Sequence, residues 1–324
     1  MKQPASDHAA SATEQLYIAY RPLMFSIAYR MLGTVADAED IVQEAFAAVQ
    51  SMPGRLDRVA NMKAYLSKLV VNRCLNELKS ANRRRRDYFG QWLPEPLVGE
   101  AEEPAAAAEH NEAMSYAFLV LLDRLSPTER AVFVLRTAYG FDYAEIGGML
   151  GKTDVYARKL YSIAKKKLRP EGERMQSKQE PPGDREGAVP RQRRQELERF
   201  VEAFRRRDVT AMLAMLSEDA VLVTDGGGKV RAAVKPILGR VRVTTLLDVI
   251  SGRKLDAAEA VIRPVSGREE LLFYKEGKLL AVVAVDWNEG SGRIDRIYAV
   301  FNPDKLGQHA RPYSEPEDDQ HVTV

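Results

Sequence analysis

The stretch from Leu122 to Leu168 leaves this chain few folds to choose from. It reads Leu-Asp-Arg-Leu-Ser-Pro-Thr-Glu-Arg, then an apolar segment, then Gly-Phe-Asp-Tyr-Ala-Glu-Ile-Gly-Gly-Met-Leu-Gly-Lys-Thr-Asp-Val-Tyr-Ala-Arg-Lys-Leu. Ser126 is placed to cap a helix, with Pro127 at its first position and Glu129 closing a capping box. Ala131, Val132 and Leu135 continue it at helical period. Asp142 caps a short helix over Tyr143–Leu150, Gly151 supplies a tight turn, and a second helix runs from about Thr153 to Leu168. This order predicts a helix-turn-helix. Lys152, Arg158, Lys159, Lys165, Lys166, Lys167 and Arg169 face a single acid, Asp154, a one-sided surface suited to a phosphate backbone. The front of such a helix meets base edges while its basic tail grips phosphates. The plainer alternative is a solvated helix of an all-α bundle.

A chain of 324 residues suggests two or three domains. The net charge of +2 hides local clustering. The single cysteine, Cys74, excludes a disulfide framework and a Cys-rich zinc site. His8, His110, His309 and His321 all fall in segments read as tails or linkers, which argues against His-based acid–base chemistry and a His metal site. No metal, cofactor or catalytic residue is therefore expected. No apolar run approaches the roughly 18 residues of a membrane span, and no secretory segment follows Met1. The chain reads as cytoplasmic.

Residues 12–92 read as an all-helical domain, with a helix pair over Ala12–Leu32, a helix over Val35–Gln50 and a third from Met62 to about Arg85. A linker spans 93–112, with Trp92-Leu93-Pro94-Glu95-Pro96 at its start. Residues 113–169 hold the helix-turn-helix, and 170–190 form a second, Pro- and Gly-rich linker. From 191 to 308 the texture changes. Glu196–Phe204, Val209–Leu216 and 232–250 read as helices. Ala220–Val223, Ala257–Val265, Glu269–Tyr274, Leu279–Trp287 and Arg293–Phe301 read as strands, with a hairpin turn at Lys275-Glu276-Gly277-Lys278. Helices followed by antiparallel strands indicate an α+β domain. Residues 309–324 read as a disordered tail.

The segment Asp37-Ala38-Glu39-Asp40-Ile41-Val42-Gln43-Glu44-Ala45-Phe46 has an acidic face and an apolar face. The acidic face is either ordinary solvated surface or a dock for a basic partner helix. Lys79, Arg83, Arg84, Arg85 and Arg86 close the third helix as a basic run. In order, these segments and the helix-turn-helix resemble bacterial RNA polymerase sigma factors of the extracytoplasmic-function group over about residues 14–169. The resemblance implies that Asp37, Asp40, Gln43 and Glu44 dock on core polymerase, whose β and β′ subunits are the expected partners. Val49 and Gln50 stand where many members carry an aromatic residue. It also implies that the loop before the third helix holds the unpaired −10 strand, with Asp57, Arg58 and Asn61 as polar candidates and Arg73, Lys79, Arg83 and Arg84 behind them. Thr153, Tyr156, Arg158, Lys159, Lys165 and Lys166 would meet the −35 element, with Thr153, Asp154, Tyr156, Ala157, Arg158 and Lys159 exposed. Val155, Leu160 and Ile163 would pack inward.

Three further segments resemble the sigma subgroup that carries a fused C-terminal SnoaL-like domain of the NTF2-like fold. They are Trp92, Leu93, Pro94, Glu95 and Pro96; then Asp225, Gly226, Gly227, Gly228 and Lys229; then Asn302, Pro303, Asp304, Lys305 and Leu306. The implied architecture is two all-α sigma domains, a helical region 2 and a helix-turn-helix region 4, followed by an α+β cone. By resemblance the cone docks on the sigma domains and sets their activity in place of a separate anti-sigma factor. Trp92 is a large apolar anchor for a pocket, and Asp225–Gly228 a turn that permits close backbone approach. These segments are then regulatory contacts, and the free chain is a monomer. Three alternatives stay open. The cone is a cyclase- or isomerase-like enzyme, which wants a base that Asp286 and Asp295 supply poorly. It is a ligand sensor lined by Phe273, Tyr274, Trp287 and Tyr298. Or the whole is a dimeric repressor.

Overall fold

The computed structural model describes residues 5–51, 59–98, 115–168, 188–288 and 290–307, and their side chains except those of 5–13, 80–86 and 188–191. Most of both linkers and the tail lie outside these residues. The first helical unit holds α1 (Ala5–Leu32), α2 (Val35–Gln50) and α3 (Met62–Arg86). The expected helix pair is one continuous helix with Pro22 inside it. The proline removes one backbone hydrogen bond, and burial of Met24, Ile27, Ala28 and Met31 just beyond it compensates.

The second helical unit holds α4 (Tyr116–Leu122), α5 (Pro127–Tyr139), α6 (Tyr143–Leu150) and α7 (Asp154–Leu168). Both expected capping boxes form, Ser126 with Glu129 and Asp142 with Glu145. Gly140 and Gly151 end α5 and α6 in the left-handed conformation that glycine adopts without strain. Residues of α1–α3 and α4–α7 share one continuous hydrophobic core.

The third unit begins with α8 (Ala188–Arg205) and α9 (Val209–Met215), then β1 (Leu216–Asp225) and β2 (Ile237–Leu238). α10 (Arg240–Val249) continues into a π-helical turn over Ile250–Lys254. β3 (Glu259–Val265), β4 (Arg268–Lys275), β5 (Lys278–Asn288), β6 (Arg293–Val300) and α11 (Pro303–Leu306) complete it. Residues 232–250 are therefore not one helix: Gly239, at φ 87°, separates a short edge strand from α10. Asn302 caps α11 by accepting from the Asp304 N–H.

The sheet runs β2-β1-β6-β5-β4-β3, antiparallel except for the parallel β1–β6 pair. One face, with Leu222, Leu271, Phe273, Ala281, Val283 and Ile297, packs on α8, α9 and α10. The other face carries Leu272, Val282, Ala284, Tyr298 and Val300, and packs on Leu93, Tyr116 and Ala117 from the helical half. An antiparallel sheet normally keeps one face wet; here the sigma-like half covers it.

Candidate nucleic-acid interface and inter-domain contact

α7 presents Tyr156, Arg158 and Lys159 to solvent, and Thr153 caps its first turn by accepting from the Tyr156 N–H at 3.2 Å. Lys166 is exposed and Lys165 half-buried, whereas Lys167 is held by Glu129 at 2.7 Å. Two expectations on this helix exchange places. Ala157 is fully buried and Val155 is 70% exposed. The reason is helical phase: Ala157 lies on the same stripe as Leu160, Ala164 and Leu168, the buried residues of α7, and Val155 does not.

On α2, Asp40, Gln43 and Glu44 are exposed in one acidic row, and Asp37 is half-buried, accepting from the Thr34 hydroxyl at 2.5 Å. Arg73 lies 3.7 Å from Glu44, so it faces the acidic row of α2. Asn61 caps α3, accepting from the Ala64 N–H at 3.0 Å. Lys79 is exposed and donates to Asn76. Asp57 and Arg58 lie outside the described residues, as do the side chains of Arg83 and Arg84.

The three separate segments meet in one buried knot. Asp225, the last residue of β1, is fully buried. Its carboxylate accepts from the Lys305 ammonium at 2.7 Å, the Leu93 N–H at 2.9 Å, the Tyr88 hydroxyl at 2.6 Å and the Gly227 N–H at 3.0 Å. Lys305 also donates to the Leu93 carbonyl and lies 4.5 Å from the Trp92 ring centroid and 5.0 Å from that of Tyr88. Asn302 donates to the Tyr88 oxygen at 2.9 Å. Burial and the adjacent Asp225 carboxylate push the Tyr88 hydroxyl well above its ordinary pKa, so it remains a donor. Gly227 leaves no room for a side chain, since a Cβ would sit 2.4 Å from Asn302. Lys229 and Asp304 add an exposed pair at 2.6 Å, worth little by itself.

From the knot the linker runs back into the first helical unit. Glu95 accepts from the Val35 N–H at the start of α2 at 2.9 Å, and its own N–H donates to the Gly33 carbonyl at 2.8 Å. The Tyr29 hydroxyl donates to the Glu95 carbonyl, and Tyr116 to that of Pro94 at 2.6 Å. Leu97 accepts from the Ser266 N–H at 3.0 Å, and Val98 bridges to Val265 beside β3. Trp92 lies against Gly33, where an added Cβ would be 2.6 Å from its ring. Gly33→Ala is expected to displace the indole and cost about 1–3 kcal/mol. Tryptophan fluorescence in a Trp287→Phe background reads the displacement; an unchanged spectrum and unfolding midpoint would refute it.

Inside the cone, Phe200, Leu247, Phe273, Ile297 and Phe301 leave about 10 Å³ between them. That is no more than one water needs. Tyr298 does not line this space; it lies on the opposite face, 6.3 Å from Tyr116. Asp295 accepts from Asn288 at 2.9 Å. Sequence reading missed Tyr88, Tyr116 and Glu270. Glu270 is buried on β4 and accepts from the Val285 N–H at 2.9 Å. Burial, with Asp286 adding to it, raises its carboxyl to about 8, against the pull of that hydrogen bond and of Arg193 and Arg268.

Residues 16–84 match the model of Sigma-70 region 2, and residues 115–168 that of Sigma-70, region 4. The chain is 33% identical over 231 residues to the ECF RNA polymerase sigma factor SigJ of Mycobacterium tuberculosis, covering 71% of this chain and 70% of that one. The chain belongs to the ECF RNA polymerase sigma factors. It is also 27% identical to the probable ECF RNA polymerase sigma factor SigI of the same species, over 89% of this chain and 92% of that one. The crystal structure of M. tuberculosis SigJ matches with a TM-score of 0.68 at 27% identity, covering 93% of this chain and 99% of that one. This ECF sigma factor directs promoter-specific transcription initiation. Its α1–α3 and α4–α7 are sigma regions 2 and 4, and its third unit is an α+β domain of one six-stranded sheet with helices on one face. No described helix is long and apolar enough to cross a membrane.

Proposed function

We propose that the cone holds this ECF sigma factor shut and thereby controls it. The observation that carries the reading is the Asp225–Lys305–Leu93 knot, which ties the cone to the linker between the two sigma regions. The closed state leaves the acidic row of α2 and the front of α7 open to solvent. It therefore acts by geometry instead of by covering those faces. Lys63, at the start of α3, lies 5.0 Å from the Phe141 ring that precedes α6. Arg130 crosses between the regions to the Met31 carbonyl at 2.7 Å, and Tyr139 to Ser26 at 2.8 Å. The two sigma regions thus touch, whereas roughly 25 base pairs of duplex separate the −10 and −35 elements by roughly 85 Å. Reading both requires the regions to part.

In this reading Asp37, Asp40, Gln43 and Glu44 dock on the β′ subunit of core polymerase, with β as a further contact. Arg73 sets Glu44 within that surface. Asn61, Lys79, Arg83 and Arg84, with Asp57 and Arg58, serve the −10 strand. Thr153, Tyr156, Arg158, Lys159, Lys165 and Lys166 serve the −35 element, a TGTCACA-like sequence by family resemblance. The free chain is monomeric and cytoplasmic, and needs no separate anti-sigma factor. The test is run-off transcription with core polymerase and the full-length chain, beside polymerase pull-down in the same tube. Promoter-specific product is expected at low yield, rising when the knot is broken. No binding to core polymerase would overturn the reading.

A further inference from the structure

We propose that Tyr143, on the helix before the recognition helix, is a positioning residue that fixes the Arg158 guanidinium for reading a guanine in the −35 element. The Arg158 guanidinium carbon lies 4.7 Å from the centre of the Tyr143 ring. Arg136 approaches the same ring at 4.8 Å and is itself tied to the Phe141 carbonyl at 3.0 Å. Two guanidiniums therefore converge on one aromatic ring, the contact in which arginine is favoured over lysine.

The ring is not free to follow them. Tyr143 meets Tyr161 of α7 edge-on at 5.9 Å. Tyr161 stacks on Phe133 at 5.6 Å, and Phe133 packs on Phe118 at 5.7 Å. Phe133 is fully buried, so this row of rings anchors Tyr143 to the core of the second helical unit. Arg158 itself is exposed on α7 and carries a long, flexible stem. A stem left free would lose conformational freedom on meeting a base; one already held against a fixed ring loses less. The planar fork suits the two acceptors that guanine offers in the major groove.

This inference rests on the reading of α7 as the −35 reader, and the test separates the two. Anisotropy binding of the full-length chain is measured on −35 duplexes that differ by one base pair each, at one fixed salt concentration. Wild type is expected to discriminate about tenfold at one guanine position. Arg158→Ala and Tyr143→Leu should both lose that discrimination and leave other positions unchanged, while Tyr143→Phe retains it. Arg158→Lys, which leaves the aromatic row intact but lacks the planar fork, should keep only part of that discrimination. If Tyr143→Leu weakens all duplexes equally, or keeps the wild-type discrimination, Tyr143 is a packing residue and the proposal fails. If Arg158→Ala changes no position, the base-reading role of Arg158 itself is wrong.

Discussion

Lys305→Met will release the cone from the sigma regions. The substitution leaves the fully buried Asp225 carboxylate without its cation, and removing one partner of such a pair costs about 3–5 kcal/mol. That is more than a hundredfold shift in the equilibrium between docked and undocked forms. The cost falls first on docking, because Lys305 bridges to Leu93 and packs beside Tyr88 and Trp92 of the sigma half. Small-angle scattering should show a larger radius of gyration, and run-off transcription a higher yield per bound polymerase. Asp225→Asn combined with Lys305→Met should recover part of the compact form, since a neutral pair leaves no stranded charge. Unchanged scattering and unchanged yield in Lys305→Met would end the latch hypothesis.

Glu270→Gln will flatten the dependence of the cone's stability on pH. Burial raises the Glu270 carboxyl from 4.5 to about 8, so the folded cone holds a proton that the unfolded chain has released. The sign follows from proton counting: the folded state binds more protons between those limits, so stability is highest near pH 4.5 and falls as pH rises toward 8. Above that it levels off. The slope is at most about 1.4 kcal/mol per pH unit. Glutamine keeps the acceptor for the Val285 N–H without a charge to desolvate. Urea midpoints at pH 5, 6, 7 and 8 should therefore converge at low pH and separate in favour of Glu270→Gln at high pH. Parallel curves would contradict this account of Glu270.

Local chemistry made the helical half legible. Ser126 with Glu129 and Asp142 with Glu145 announce helix starts through side chains that satisfy neighbouring backbone groups. The Lys275-Glu276-Gly277-Lys278 turn likewise announces its hairpin. The phase of α7 was less legible. Val155 and Ala157 exchange roles because the buried stripe of α7 runs through Ala157, Leu160, Ala164 and Leu168, so helical phase and not hydrophobicity decides which residue turns inward. The span 232–250 misled for another reason: Gly239 sits inside it at a positive φ.

The knot had no local signature. Asp225 and Lys305 lie 80 residues apart and Tyr88 and Asn302 lie 214 apart, so no period or cap links them. One signal was present and unread. Leu279-Leu280-Ala281-Val282-Val283-Ala284-Val285 contains no polar residue, although an antiparallel strand with one wet face alternates. The run reports that both faces of β5 are covered, and the second cover is the sigma half.

The distance along the chain between Leu93 and Lys305 also has a consequence in time. The two residues are 212 positions apart, and ribosomes add about 5–20 residues per second. The second promoter-reading region ends only at Leu168, so both regions are complete about 7–27 s before Lys305 is added. On the proposed reading, each newly made molecule passes through an interval as an unrestrained sigma factor. A chain that stops early, or is clipped ahead of α11, stays in that state for its lifetime.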